Sequence, residues 1–338
     1  NTWLDQATVF PRTSVGGVSA SNRTEWLAAS IPAWQTLLEP LADGMANALT
    51  EVLKDSPMAD SPQVAHLTPL MRAFMGSLIA SALGQSLGQI ASTITSANDV
   101  AIPLGMRDAK LIPMNIEEWA QGLNIRMDEV RLFFAVREAA ATRLFTHTPW
   151  LAEYIKNLIT SYGRGIRIDM EAMQQQAMEA MESGQFDMEN PESISIAISA
   201  GLFKPEQTPQ QEAALAKLEM AFALIEGWID NVTTKAIDNR LPSFQPLSEM
   251  LRRRRVSKSP MQHLFATLLG LEVSPRKLRE CTKFWSEVEN QIGIEGRDAR
   301  FEDAALLPTG ADLADVSKFL TSTTVPDDLS SLFKEDDK

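Results

Sequence analysis

The run EVRLFFAVREAAATRLFTHTPW, residues 129–150, decides how the rest of the chain is read. It predicts a central helix over 129–145, with Asp128 placed to cap it and a His-Thr-Pro-Trp stop in which Pro149 cannot continue the helix. Leu132, Phe133, Phe134, Ala135, Val136, Ala139, Ala140 and Ala141 make the run read as buried. One carboxylate, Glu138, interrupts it.

A buried carboxylate without a partner is costly, so Glu138 calls for one: Arg137, Arg143, a buried water or a shared metal. A second interruption has the same character. Glu226 sits inside MAFALIEGWI, and Asp230 follows one turn later on the same helix face, where it can join the same network. By spacing alone, a structural ion pair between helices is the simpler reading, and a catalytic pair the sharper one.

Zinc-protease chemistry uses two histidines at i and i+4 on one helix face, with a glutamate after the first to activate the metal-bound water. Residues 137–141 read REAAA. The base position is kept and neither imidazole is. A guanidinium at Arg137 could instead neutralise Glu226 in the volume a metal would fill, one cation in place of another. His147 lies six residues past Ala141 and off the face that carries Glu138, so a role at the helix C-terminus is the plainer one. His66 reads as a surface or capping histidine and His263 as structural, Cys281 has no neighbouring histidine to activate it, and Gly163-Arg164-Gly165 has no strand-to-helix context for phosphate binding.

Outward from this centre the chain reads as helix after helix. Residues 1–22 form an extended lead-in, 23–316 a single helical domain, and 317–338 a polar tail. Apolar residues at spacings of three and four predict helices over 24–55, where Pro32 and Pro40 should break or kink the run, and from Pro62 towards residue 94. In the latter, Gly76, Ala80, Gly84 and Gly88 fall four apart and would admit a close helix neighbour. Residues 96–113 form an irregular connector with room for a small β element near Leu111 and Ile112. Asn115 and Glu118 have capping-box spacing ahead of a short helix ended by Gly122. Further helices are expected over 150–162, in the Met-rich stretch 169–184, from the Thr208-Pro209-Gln211 start, and after Ser259-Pro260 and Ser274-Pro275. The fold class is mainly α.

Composition bounds the function. Of 338 residues, 44% are hydrophobic and 22% charged, an ordinary globular balance. A net charge of -13 argues against nucleic acid as a partner, and the lone basic cluster, Arg252 to Arg255, reads as a solvated helix end. A single cysteine fits a reducing compartment. The longest apolar run, 73–83, is too short to cross a bilayer, so no membrane partner and a cytoplasmic location are expected.

The same segments carry a resemblance. The central run, with LGQSLGQIA, LIPMNIEEWAQGL, LEMAFALIEGWIDNV, LPSFQPLSEMLRRRR, FATLLGLEVSPRKLRE and GIEGRDARFEDAALLPTGADL, resembles an actinobacterial family regarded as zinc-dependent metalloproteases or hydrolases. The resemblance implies a zincin-like helical fold and, in the wider family, zinc. It places the family's base on Glu138, its third ligand on Glu226, and its two histidines on Arg137 and Ala141, where this chain departs from the pattern. The expectation is a degenerate member with no metal and no cofactor, acting in binding or scaffolding on an unidentified peptide or protein. The rival expectation is an active hydrolase with Glu138 as general base and a non-standard site drawn from Glu226, Asp230 or His147.

Overall fold

The computed structural model describes residues 2–13, 17–54, 62–167, 208–258 and 275–322. The Met-rich stretch 169–184, the Ser259-Pro260 start with His263, and the Ser61 and Ser274 cap positions lie outside the described residues. Among the described residues the chain is mainly helical: α1 (Arg23–Lys54), α2 (Pro62–Ala91), α3 (Pro113–Ala120), α4 (Met127–His147), α5 (Trp150–Arg164), α6 (Pro209–Ile237), α7 (Phe244–Lys258), α8 (Pro275–Ala299) and α9 (Val316–Ser322). The β element is two short parallel strands, β1 (Ser19–Ala20) against β2 (Lys110–Leu111), in the register Ser19 to Lys110 and Ala20 to Leu111.

Two helices make the centre. In α6 residues 221–229 are buried without a break, and in α4 the same holds for 136–145, the mark of helices enclosed on every side rather than striped. Around them Trp34, Trp228, Trp285, Phe133, Phe134, Phe222 and Phe284 fill the core. The start of α6 is the one read most directly from sequence. The Thr208 hydroxyl accepts from Gln211 N–H and the Gln211 side chain accepts from Thr208 N–H, a complete capping box with Pro209 at the first helical position.

Several local expectations are corrected. Pro32 and Pro40 do not break the run, since both lie inside a single α1. Met127 begins α4 with Arg126 at the cap and no side-chain cap bond, so Asp128 sits in the first turn instead. Asn115 is no cap either; buried within α3, its amide donates to the carbonyls of Ala91 and Ile94 at 2.9 and 2.6 Å, tying the end of α2 to α3. Among the described residues no helix packs on the glycine row of α2, since a Cβ at Gly76, Gly84 or Gly88 would meet nothing within 4 Å. Close approach occurs elsewhere. A Cβ at Gly44 would come within 2.4 Å of the Gly163 carbonyl oxygen, where α1 meets α5, and one at Gly227 within 2.9 Å of Cys281, where α6 meets α8. Gly293 has φ 78° inside α8 and bends the chain there.

The two ends of the domain are also packed. Thr8 donates to the buried Asp298 carboxylate at 2.6 Å, Val9 N–H to the same carboxylate at 2.9 Å, and Arg297 to the Ala7 carbonyl at 2.6 Å. The lead-in is therefore tied to α8 through Ala7, Thr8 and Val9. At the other end Phe319 of α9 is buried against Phe284 at a centroid distance of 5.4 Å, so the segment after residue 316 opens with a docked turn of helix.

Candidate functional site

Glu138 projects from the middle of α4 and is 1% exposed. Among the described residues it has no ion-pair partner of its own. Asn98, in the connector after α2, donates its backbone N–H to Oε2 at 3.0 Å and its side-chain amide to Oε1 at 2.9 Å. The Lys110 N–H at the start of β2 reaches Oε1 at 3.4 Å, and the Thr142 hydroxyl lies 3.3 Å away on the next turn of α4. The small sheet thus has a use: it fixes the connector so that two backbone amides face the carboxylate. Burial nonetheless outweighs these donors and pushes the carboxyl up to about 7, against the pull of Ser96, Asn98 and Lys110.

One helical position earlier, Arg137 turns towards α6. Its guanidinium is 5% exposed and ion-paired with Glu226, with Asp230 at 3.8 Å. A second arginine, Arg255 near the end of α7, reaches the same Glu226 oxygen and also Asp99 at 2.6 Å. Arg252 completes the set, 3.0 Å from Asp230. Three guanidiniums therefore face three carboxylates, Glu226, Asp99 and Asp230, leaving no cation over for Glu138. Desolvation lowers the Arg137 guanidinium, and it lowers that of Arg255 to about 9 with Arg137 adding repulsion.

Of the residues expected at the site, Arg137, Glu138, Glu226 and Asp230 are brought together. His147 is not: its ring stacks on Phe10 at 5.7 Å and meets the Pro11 carbonyl at 3.2 Å, holding the lead-in instead of facing the carboxylates. Arg143 is engaged likewise, donating to Asp5 at 2.8 Å and to the Phe10 carbonyl at 3.2 Å. Three residues central to the site were not foreseen, Asn98, Asp99 and Arg255. Arg255 had a signal, since Leu247, Leu251 and Arg255 fall four apart on one face of α7 and both leucines are buried. Asn98 and Asp99 lie in a connector without periodicity, and nothing in the sequence marks them.

Ser96, Asn98, Asp99, Arg137, Glu138, Ala141, Glu226, Ile229 and Arg255 enclose a cleft of about 10 Å³. On the other side of the Asp99–Arg255 pair a more open pocket of about 200 Å³ is lined by Trp119, Leu251 and Arg254 among others, and the Arg254 guanidinium lies 4.8 Å over the Trp119 ring. Asp99 and Arg255 line both spaces.

The chain belongs to the Zincin-like metallopeptidase family, which it matches over residues 1–320. Its fold resembles that of "a putative hydrolase with a novel fold" from Chloroflexus aurantiacus, at a TM-score of 0.59 and 18% identity, over 95% of this chain and 84% of that one. No curated protein matches the sequence.

The zinc implied by the family finds a poor donor set here. Arginine offers no lone pair and alanine no ligand atom, so positions 137 and 141 supply none. Of the four acidic residues at the cleft and its rim, Glu226 has one oxygen held by two guanidiniums, Asp230 is paired with Arg137 and Arg252, Asp99 with Arg255, and Glu138 is covered by amide donors. Among the described residues no group of three or more His, Cys, Asp or Glu side chains is placed to hold a metal ion. The same residues also include no helix long and apolar enough to cross a membrane.

Proposed function

We propose that this chain is a member of its family in which the hydrolytic centre has become a closed ion network, that it holds no catalytic zinc, and that it acts by binding a peptide or protein partner. The observation that carries the reading is the pair of guanidiniums on Glu226. A divalent cation at that carboxylate would have to sit against Arg137 and Arg255 at contact distance, and like charges in a dry site repel strongly. The size of the cleft supports it, because about 10 Å³ holds no more than about one water beside Glu138, well short of a peptide substrate. The open pocket beyond Asp99–Arg255, with an aromatic floor and a stacked arginine, is the natural place for a partner side chain to enter. Elemental analysis of protein purified without added metal tests the reading directly: less than a tenth of an equivalent of zinc is expected, and a stoichiometric content would end it.

One observation favours a second reading. A carboxyl held near 7 is matched to general-base work at neutral pH. On that reading Glu138 drives hydrolysis once Arg255 swings away from Asp99 and joins the cleft to the pocket. Peptidase and esterase assays on the wild type and Glu138→Gln decide between the two. Activity lost in the variant would establish the hydrolase, whereas inactivity of both belongs to the first reading.

A further inference from the structure

Two buried acceptors of residues that line the cleft have no hydrogen-bond partner among the described residues, Oε2 of Glu226 and Oδ1 of Asn98. Both residues are more than nine-tenths buried and both line the cleft of about 10 Å³. A buried acceptor left unsatisfied is costly, and more so where it carries charge, so two of them on residues lining one small polar space call for a common donor. We infer that the cleft is a binding site for one water molecule, which donates one O–H to Glu226 Oε2 and the other to Asn98 Oδ1 beside the Glu138 carboxyl group.

The stoichiometry follows from the chemistry. Water carries two donors, and the cleft presents two unmet acceptors; the volume is that of about one water-sized sphere. An ammonium or metal cation would also seek these oxygens, but it would lie against Arg137 and Arg255, which already bring two positive charges to the same carboxylate. A neutral donor meets the demand without that repulsion. The lining also explains why Asn98 adopts its orientation. Its amide nitrogen is spent on Glu138 and Thr142, at 2.9 and 3.1 Å, which leaves the carbonyl oxygen for the water. The bound molecule would sit where the base position of the family motif faces its third ligand, held by an amide and a carboxylate instead of a metal. It would reach bulk solvent by way of the open pocket when the Asp99–Arg255 pair parts.

The inference rests on the metal-free reading of the site, and the test separates the two. A high-resolution crystal structure with data collected on both sides of the zinc edge should show one ordered peak within about 3 Å of both oxygens and no anomalous signal. An anomalous peak would overturn both the water and the metal-free reading. A cleft without density, its side chains closed on one another, would overturn the water alone. Ala141 supplies a solution test, because it lines the cleft and threonine and valine there are nearly isosteric. Ala141→Thr brings a hydroxyl donor in place of the water, while Ala141→Val excludes the water and brings none. The threonine variant should melt a few degrees above the valine variant. Equal melting temperatures, or a more stable valine variant, would mean that the cleft holds no acceptor in need of a donor.

Discussion

Glu138 is ringed by donors and is still driven towards its neutral form, because burial strips the carboxylate of water and outweighs the hydrogen bonds it accepts, while the guanidiniums of Arg137, Arg252 and Arg255 pair with other carboxylates. The consequence for stability has a definite sign. With the folded carboxyl raised from 4.5 to about 7, the unfolded chain releases this proton first as pH rises, so the contribution of Glu138 to stability is highest near and below pH 4.5. It falls through the window from about 4.5 to about 7 and is flat above, a loss on the order of 3 kcal/mol. The unfolding free energy of the wild type relative to Glu138→Gln, measured in urea across that range, should therefore decline by such an amount; a difference independent of pH would refute the assignment. At the neighbouring position, Arg137→Ala leaves Glu226 to Arg255 alone. Removing one member of a buried pair costs about 3–5 kcal/mol, and this loss should appear in the urea midpoint. Unchanged stability would show that Arg255 neutralises Glu226 by itself. The sequence made Arg137, Glu138 and Glu226 readable because each interrupts an apolar run. Asn98 and Asp99 were hidden because a connector has no period against which a buried polar residue stands out.

At the scale of elements, small residues proved legible as a class and not by location. The glycine row of α2 promised a close helix neighbour and has none within 4 Å among the described residues, whereas Gly44, in a segment read for its apolar spacing, and Gly163, just past the helix expected over 150–162, carry the tightest approach. Spacing tells where small residues share a face; it does not tell which face another helix will meet. The two cases give opposite predictions for the same substitution. Gly44→Ala drives a methyl group into the Gly163 carbonyl and should lower stability by roughly 1–3 kcal/mol. Gly84→Ala, exposed and unobstructed, should raise it by up to about 1 kcal/mol through helix propensity. Thermal unfolding of the two variants beside the wild type is sufficient, and a common sign would refute the packing assigned to α1 and α5. Helix α7 makes the converse point, since four consecutive arginines read as a solvated end. One of any four consecutive helical residues nonetheless faces inward, and the row Leu247, Leu251, Arg255 singles out which.

Taken as a whole, the molecule brings four separate stretches to one place: α4 supplies Arg137, Glu138 and Ala141, α6 supplies Glu226 and Asp230, α7 supplies Arg252 and Arg255, and the connector supplies Asn98 and Asp99. If the scaffold is that of a zinc site closed by substitution, the site can be reopened by substitution. Arg137→His with Ala141→His restores two imidazoles one helical turn apart, with Glu138 between them and Glu226 opposite as third ligand. Those two changes alone leave Arg255 on Glu226, and its charge opposes the metal, so weak binding at most is expected of the double variant. Adding Arg255→Leu removes the second cation, leaves Asp99 with its Thr95 hydrogen bonds at 2.7 and 2.9 Å, and frees Glu226 to coordinate. Titration calorimetry with zinc should give one site per chain in the triple variant, with at least tenfold higher affinity than in the double. A folded triple variant without zinc binding would show that α4 and α6 are not set at the separation a metal requires, and the ion network would then be the original design of this scaffold rather than a replacement.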